Sequence, residues 1–192
     1  MKKGTGVFLL VCALVLILTV VVVKSYSSLS SLKENVNNRE ADINVQLNKK
    51  IAQSSKIVDA TKEILKDEES IFNNIDSIIK REKESIEDKS KINNELTNEL
   101  NSLLEKIKGN EELYNNEDVK TLINDLLSTE KRIETAKYNY NDVVDDYNSK
   151  VNGFPSFIVA KVLGYKTRDE FKADKELINI YEEQEELWKL MN

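Results

Sequence analysis

Apolar residues recur at steps of three, four and seven along most of the chain, which is the spacing of one face of an α-helix. Residues 24–108 contain no glycine and no proline, and this favours long helices because turns are rich in both. We therefore predict several long amphipathic helices in this stretch. Their apolar faces are formed by Leu29, Leu32, Val36, Ile43 and Leu47, by Ile57, Ile64, Ile71, Ile75, Ile78 and Ile79, and by Ile92, Leu96, Leu100, Leu103, Leu104 and Ile107.

Two polar stretches are candidate breaks in these helices. Residues 81–91 contain Ile86 as their one apolar residue, and we place a turn there. Residues 67–70 contain no apolar residue, but their acidic side chains also suit the first turn of a new helix, so this point stays open. Gly109 predicts a helix end, because glycine just past a helix can take the left-handed conformation.

The most regular stripe runs from Leu122 to Val151, and glycine at position 153 predicts its end. Pro155 suits the first turn of a short apolar helix, which Gly164 closes. Residues 168–190 show a thinner stripe and are also predicted to be helical. The two stripes consist of Leu122, Leu126, Ile133, Ala136, Tyr140, Val143, Tyr147 and Val151, and of Phe171, Ile178, Tyr181 and Trp188.

These elements predict an all-α fold. Apolar helix faces must be covered by other helices, and short connections make neighbouring helices antiparallel. We expect an N-terminal transmembrane helix that continues into a long antiparallel bundle of three to four main helices, followed by a short apolar helix and a C-terminal helix. The predicted parts are residues 1–23 for the membrane segment, 24–165 for the bundle and 166–192 for a helical extension.

The N-terminal segment is predicted to cross a membrane once. Residues 7–23, VFLLVCALVLILTVVVV, are apolar except for Thr19, and no charge occurs in residues 4–23. Twenty helical residues rise about 30 Å, the thickness of a bilayer core. A cleaved signal peptide would begin in the same way. The stretch is long for one, and the small-residue site at 25–27 is weak, so an uncleaved anchor is favoured.

Flanking charges give an orientation. Lys2 and Lys3 lie at one end of the apolar segment and Lys24 lies at the other. Positive charge is retained on the cytoplasmic side, which favours an N-terminus inside and the bulk of the chain outside by a margin of about one charge. The predicted location is the cell membrane.

Composition excludes most kinds of catalytic site. The 192 residues include no histidine and one cysteine, Cys12, within the apolar segment. A Ser-His-Asp triad, a Cys/His zinc site and a histidine-ligated haem therefore cannot be built. No Gly-rich phosphate loop is present, and a net charge of −6 argues against general nucleic-acid binding. We expect no enzymatic activity, no cofactor and no metal ion.

Residues 129–171 resemble the LemA family. They read TEKRIETAKYNYNDVVDDYNSKVNGFPSFIVAKVLGYKTRDEF, similar to the family's T-E-x-x-I-x-x-A-[RK]-x-x-Y-N-D-x-V-x-x-Y-N, then F-P-S-x-x-[IV]-A and G-[FY]. A shorter match, DINVQLNKK at residues 42–50, is similar to D-I-D-V-Q-L-K-R-R. Glu40 replaces a common tryptophan, and QSSKIV at 53–58 lacks the proline of L-I-P-N-L-V. The signature residues that we single out are Thr129, Glu130, Ile133, Ala136, Tyr140, Asn141, Asp142, Tyr147, Asn148, Phe154 and Pro155.

The resemblance implies a membrane-anchored, all-helical domain without an established reaction. No catalytic or cofactor-binding residue can therefore be carried over to this chain. Members of the family are often encoded near membrane proteases or other membrane-anchored proteins, which implies partners of that kind.

The signature helix carries two Tyr-Asn pairs. Tyr140 and Asn141 lie seven residues before Tyr147 and Asn148, so the pairs stack on one helix edge. We interpret them as structural groups that fill the helix seam and bond neighbouring helices. The alternative is a ligand groove lined by the same groups.

The short helix after Pro155 is the candidate partner surface. Phe157, Ile158 and Val162 cover much of it. It is either a cap over the end of the bundle or an exposed patch for a partner or the bilayer surface. The segment would lie next to the bilayer if the signature helix is the fourth in the bundle, and far from it if that helix is the third.

The expected function is that of a membrane-anchored adaptor or scaffold. Its partner would be another protein, such as a second membrane protein, or another copy of the chain. The alternative is a sensor or small-ligand-binding module built between the bundle helices, which a cavity along the Tyr-Asn edge would favour.

Overall fold

In the computed structural model, which describes residues 3–182, six α-helices and no strand are found in the described part of the chain. The prediction of an all-α fold is confirmed. The apolar segment and the first soluble helix form one continuous helix, as expected. The helices are α1 (Lys3–Thr61), α2 (Glu69–Ile79), α3 (Ile86–Lys108), α4 (Glu111–Tyr114), α5 (Glu117–Asn152) and α6 (Ser156–Leu163).

The chain folds into two compact units, and both α1 and α5 contribute to each of them. Unit 1 contains residues 1–39 and 140–169, and unit 2 contains residues 40–139 together with the chain from residue 170 onward. The predicted boundaries after residues 23 and 165 are sequence-based and stay predictions.

Unit 2 contains an antiparallel helix pair, α2 and α3. Arg81 pairs with Glu95, and Lys106 pairs with Glu68 at 2.7 Å, so residue numbers rise along one helix as they fall along the other. Ser85 begins α3 with a capping box, in which its hydroxyl accepts from the Asp88 amide. The predicted turn within residues 81–91 is therefore confirmed, and it lies in the first part of that range, before α3 begins at Ile86.

The core of unit 2 is apolar and draws on every helix of the unit. Most of its members come from the predicted stripes, because those faces are the ones that other helices cover. Four others, Leu113, Val119, Ile123 and Ile180, were not in any predicted stripe. The buried cluster consists of Leu47, Ile57, Ile71, Ile75, Ile78, Ile92, Leu96, Leu100, Leu103, Leu104, Ile107, Leu113, Val119, Ile123, Leu126, Ile180 and Tyr181.

The chain also breaks before residue 69, at the point that the sequence left open. Helix α1 ends at Thr61, a short 3₁₀ turn occupies Lys66–Glu68, and α2 begins at Glu69. Gly109 ends α3 as predicted, but its φ is −77°, so the expected left-handed conformation is wrong there. Gly164 does adopt it after α6, with φ of 73°.

The stripe on α5 lies in a slightly different register from the predicted one. Ile123 and Val144 are fully buried, whereas Leu122 and Val143 are only half-buried. Val144 lies four residues after Tyr140, whereas the predicted Val143 lies three residues after it. Steps of three and of four both keep a residue on one helix face, so the helical repeat fits either valine.

The predicted C-terminal helix is wrong for the residues that the structure describes. Residues 165–179 contain neither helix nor strand, and residues 170–181, which end in a turn, are hereafter called the strap. Side chains of α3 and α5 bind its backbone carbonyl and amide groups, which removes them from helical bonding. Trp188 and the remainder of the predicted helix lie outside the described residues.

Unit 1 is built from the first part of α1, the last part of α5, and α6. Its buried side chains include Leu29, Val36, Tyr147, Val151 and Val159. The apolar segment of α1 has a stretch with a mean hydropathy of 3.3 of which no part is buried. It is long and apolar enough to cross a membrane, and a signal sequence would share these features.

Candidate functional site: a buried ion pair, a tyrosine seam and an exposed apolar helix

Lys50 is the centre of a buried polar cluster in unit 2. The side chain is fully buried, and its Nζ lies 2.8 Å from a carboxylate oxygen of Glu130. It also donates to Asn93 Oδ1 at 3.0 Å and to Thr97 Oγ1 at 2.6 Å. Helices α1, α3 and α5 therefore meet at one ammonium group.

Burial lowers the pKa of Lys50, while the charge and hydrogen bond of Glu130 oppose that shift. Burial is the larger effect because an ammonium group loses its hydration in the helix interior. Two fully buried neighbours, Asn93 Nδ2 and Thr129 Oγ1, have no hydrogen-bond partner among the described residues. The cluster is therefore a specific but costly feature of the bundle.

Four of the signature residues lie in unit 2, and three of them are buried. Thr129, Ile133 and Ala136 are buried on α5, and Glu130 binds Lys50. The structure thus joins the two matching segments of the sequence, because Lys50 belongs to the shorter one. Sequence reasoning missed Lys50, although it sits at a core position of the α1 stripe, three residues after Leu47.

The two signature tyrosines form a seam with residues 166–169 in unit 1. Both rings are buried; the Tyr140 hydroxyl donates to the Asp169 carbonyl, and the Tyr147 hydroxyl donates to the Lys166 carbonyl, each at 2.9 Å. Asn148 Nδ2 donates to the Arg168 carbonyl and its Oδ1 accepts from the same residue's amide, each at 2.8 Å.

Residues 166–169 occupy the helix edge at which a ligand groove was the alternative interpretation of the sequence. Burial raises the pKa of the Tyr147 hydroxyl. Asn141 is half-buried, and Asp142 is exposed beside it. The structure therefore brings Tyr140, Tyr147 and Asn148 to the chain's own backbone.

Helix α6 exposes apolar side chains. Val162 is 79% exposed, Ile158 49% and Phe157 42%, and Phe154 before the helix is 83% exposed. Pro155 is half-buried between them. On the opposite face Val159 and Ala160 are buried, so α6 is attached to unit 1 by one side and presents the other.

A shallow concavity adjoins this exposed face. Phe157, Lys161 and Tyr165 line it together with the end of α5, and its volume is about 300 Å³. Lys33 of α1 lies 5.5 Å from the centre of the Tyr165 ring. Lys33 follows the apolar segment by ten residues, which is about 15 Å of helix, so α6 lies near the part of α1 that leaves that segment.

Comparison with known proteins agrees with the sequence pattern. The model of the LemA family matches residues 39–180, which includes both matching segments, α5, α6 and most of the strap. No curated protein matches the chain. Because the match covers well over half of the chain, the chain belongs to the LemA family.

Proposed function

We propose that this protein is a single-pass membrane adaptor that holds a partner membrane protein beside its own span. The N-terminal apolar segment stays attached as the anchor, with the N-terminus inside and the helical domain outside the cytoplasm. The observation that carries the proposal is the exposed apolar face of α6, which lies near the start of the soluble part of α1. An apolar face of this kind is typical of a contact surface.

The chemistry of α6 favours a protein partner over the lipid surface. Helices that lie on membranes carry several lysines or arginines on their polar face, and α6 carries one, Lys161. The concavity beside Phe157 offers a seat for a partner's side chain, which a flat lipid surface would not require.

The arrangement of unit 1 does not favour the small-ligand alternative. A ligand groove at the Tyr-Asn edge would need the tyrosine hydroxyls to be available, and both donate to carbonyls of residues 166–169. A ligand at this edge would have to displace that segment and replace its hydrogen bonds.

Site-specific photo-crosslinking in living cells tests the adaptor proposal. A photoreactive residue at Ile158 is expected to link to one integral membrane protein, and the link is expected to disappear when Val162→Asp is added. The matched control carries the same photoreactive residue at Asp145, an exposed site on α5 of the same unit.

Two results would overturn the proposal. Links from Ile158 to lipid alone would make α6 a bilayer contact. Links that persist at full strength in the Val162→Asp variant, or that also form from Asp145, would reflect collision rather than docking.

A further inference from the structure

Unit 2 contains a groove that holds the strap chiefly by its backbone. Asn94 on α3 donates through Nδ2 to the Lys172 carbonyl at 2.8 Å and accepts through Oδ1 from the Asp174 amide at 3.0 Å. Asn101 repeats the arrangement with the Glu176 carbonyl at 2.9 Å and the Ile178 amide at 3.0 Å. Each carboxamide therefore binds one backbone carbonyl and one backbone amide of the strap, and these two groups are two residues apart.

The spacing of the two carboxamides matches an extended chain. Asn94 and Asn101 are two helical turns apart, which is about 10.5 Å along α3. The two backbone segments that they bind are four residues apart, and four extended residues span about 13 Å. A helical strap would shorten that distance to about 6 Å and would withdraw the bound groups.

Further contacts on both sides continue this backbone recognition. Ser90 Oγ on α3 accepts from the Lys172 amide at 3.0 Å, and Lys137 Nζ on α5 donates to the Ala173 carbonyl at 2.6 Å. The hydroxyl of Tyr114 donates to the Ile180 carbonyl at 3.3 Å. The strap therefore lies between α3 and α5 and is bound from each.

The fully buried side chains of the strap lie at its two ends, and half-buried Leu177 and Ile178 also pack against the core. Phe171 at one end and Ile180 with Tyr181 at the other are buried, and the side chains between them are exposed or half-buried. The Tyr181 ring stacks on Tyr114 with ring centres 5.1 Å apart. The groove thus recognises an extended backbone with two apolar anchors, which is how a peptide-binding site works.

We propose that this groove also accepts the strap of a second copy of the chain, so that copies exchange straps and become linked. The occupant that the structure shows in the groove has the sequence that a second copy would offer. The strap follows the last described helix, so exchange leaves the packing of α1 to α6 unchanged. Anchoring confines copies to one plane, which raises the concentration of each strap near other grooves. The exchange uses the groove and not α6, and it is independent of the partner proposed for that helix.

Crosslinking between two differently tagged full-length forms in the same membranes tests this proposal. One form carries Ser90→Cys in the groove, and the other carries Lys172→Cys in the strap. Both carry Cys12→Ser, because Cys12 is the one native cysteine. A short bismaleimide is expected to give a product with both tags, and a single chain with both cysteines serves as the positive control for their proximity.

Placing Ile180→Asp in one form at a time gives opposite expected results. In the strap-donating form it removes an anchor, and the mixed product should fall roughly tenfold, about the effect of losing one buried apolar contact. In the groove-bearing form it weakens the form's own strap, and the mixed product should increase. Helicity measured by circular dichroism shows whether each variant stays folded.

A synthetic peptide of residues 168–182 provides a second readout that needs no change in the core. It is expected to suppress the mixed product, while a scrambled peptide leaves it unchanged. The proposal is overturned if the doubly substituted chain links internally but no mixed product forms. It is equally overturned if neither Ile180→Asp nor the peptide changes the amount of mixed product.

Discussion

Lys50 shows how a single residue organises unit 2. A fully buried ammonium group beside Glu130 ties α1 to α5, and its bonds to Asn93 and Thr97 add α3. A buried pair of this kind contributes more to register than to net stability, because both charges lose hydration.

Lys50→Met is expected to destabilise the protein by roughly 3 kcal/mol, because it leaves the Glu130 carboxylate largely buried without its partner. The double variant Lys50→Met with Glu130→Leu should lose much less, since both charges are then absent. Urea unfolding of the single and double variants measures this difference. Losses that simply add would show that the two residues do not interact.

Stability should also rise with pH in an alkaline window because of Lys50. Its pKa in the folded protein is below 10.5, so between those two values the unfolded chain binds more protons than the folded one. The free energy of unfolding therefore increases as pH rises through that window. Urea midpoints of the wild type and of Lys50→Met, compared from neutral pH upward, should diverge there; parallel curves would contradict the assignment.

At the scale of elements, the sequence predicts helices better than it predicts what interrupts them. The stripes of α2, α3 and α5 and the closure of α6 at Gly164 followed from local spacing and conformation. The strap did not, because Phe171, Ile178 and Tyr181 are spaced as on a helix face. Distant carboxamides at Asn94 and Asn101 determine its conformation, and no local pattern reports them.

Asn101→Ala tests the contribution of the strap contacts to stability. Loss of its two hydrogen bonds to the strap is expected to cost about 1–2 kcal/mol. Asn98→Ala is the matched control on the same helix, since Asn98 is exposed and the gain in helix propensity is the same. Thermal unfolding of both variants gives the comparison, and equal effects would mean that the clamp contributes nothing.

Helix α6 offers a pair of neighbouring valines with opposite exposure. Val162→Asp should change stability by no more than about 0.5 kcal/mol, because the side chain is already largely in water. Val159→Asp places a carboxylate in a buried site and should destabilise the protein by several kcal/mol, on the order of 3. Melting curves of the two variants check this. If Val162→Asp unfolds the protein as strongly, α6 is a core element and its surface is not free for docking.

At the scale of the whole molecule, an apolar N-terminal segment long enough to cross a membrane precedes a helical domain of the LemA family. The helical fold followed from the apolar spacing along the chain, and the family followed from the resemblance of two sequence segments to its signature. The partner surface was named from sequence only as one of two alternatives, since exposure depends on tertiary packing. Lys50 was missed because a charged residue in a stripe is usually solvated.

Labelling of Ser149→Cys in intact cells with a membrane-impermeant maleimide reports directly whether the helical domain lies outside the cytoplasm on an uncleaved anchor. Ser149 is exposed in unit 1, and the variant also carries Cys12→Ser so that the label reports one site. We expect the cysteine to be labelled in intact cells, on a chain of undiminished mass that stays in the membrane fraction. A chain that is labelled only after lysis, or one that is shortened and released, would contradict an uncleaved anchor with the domain outside.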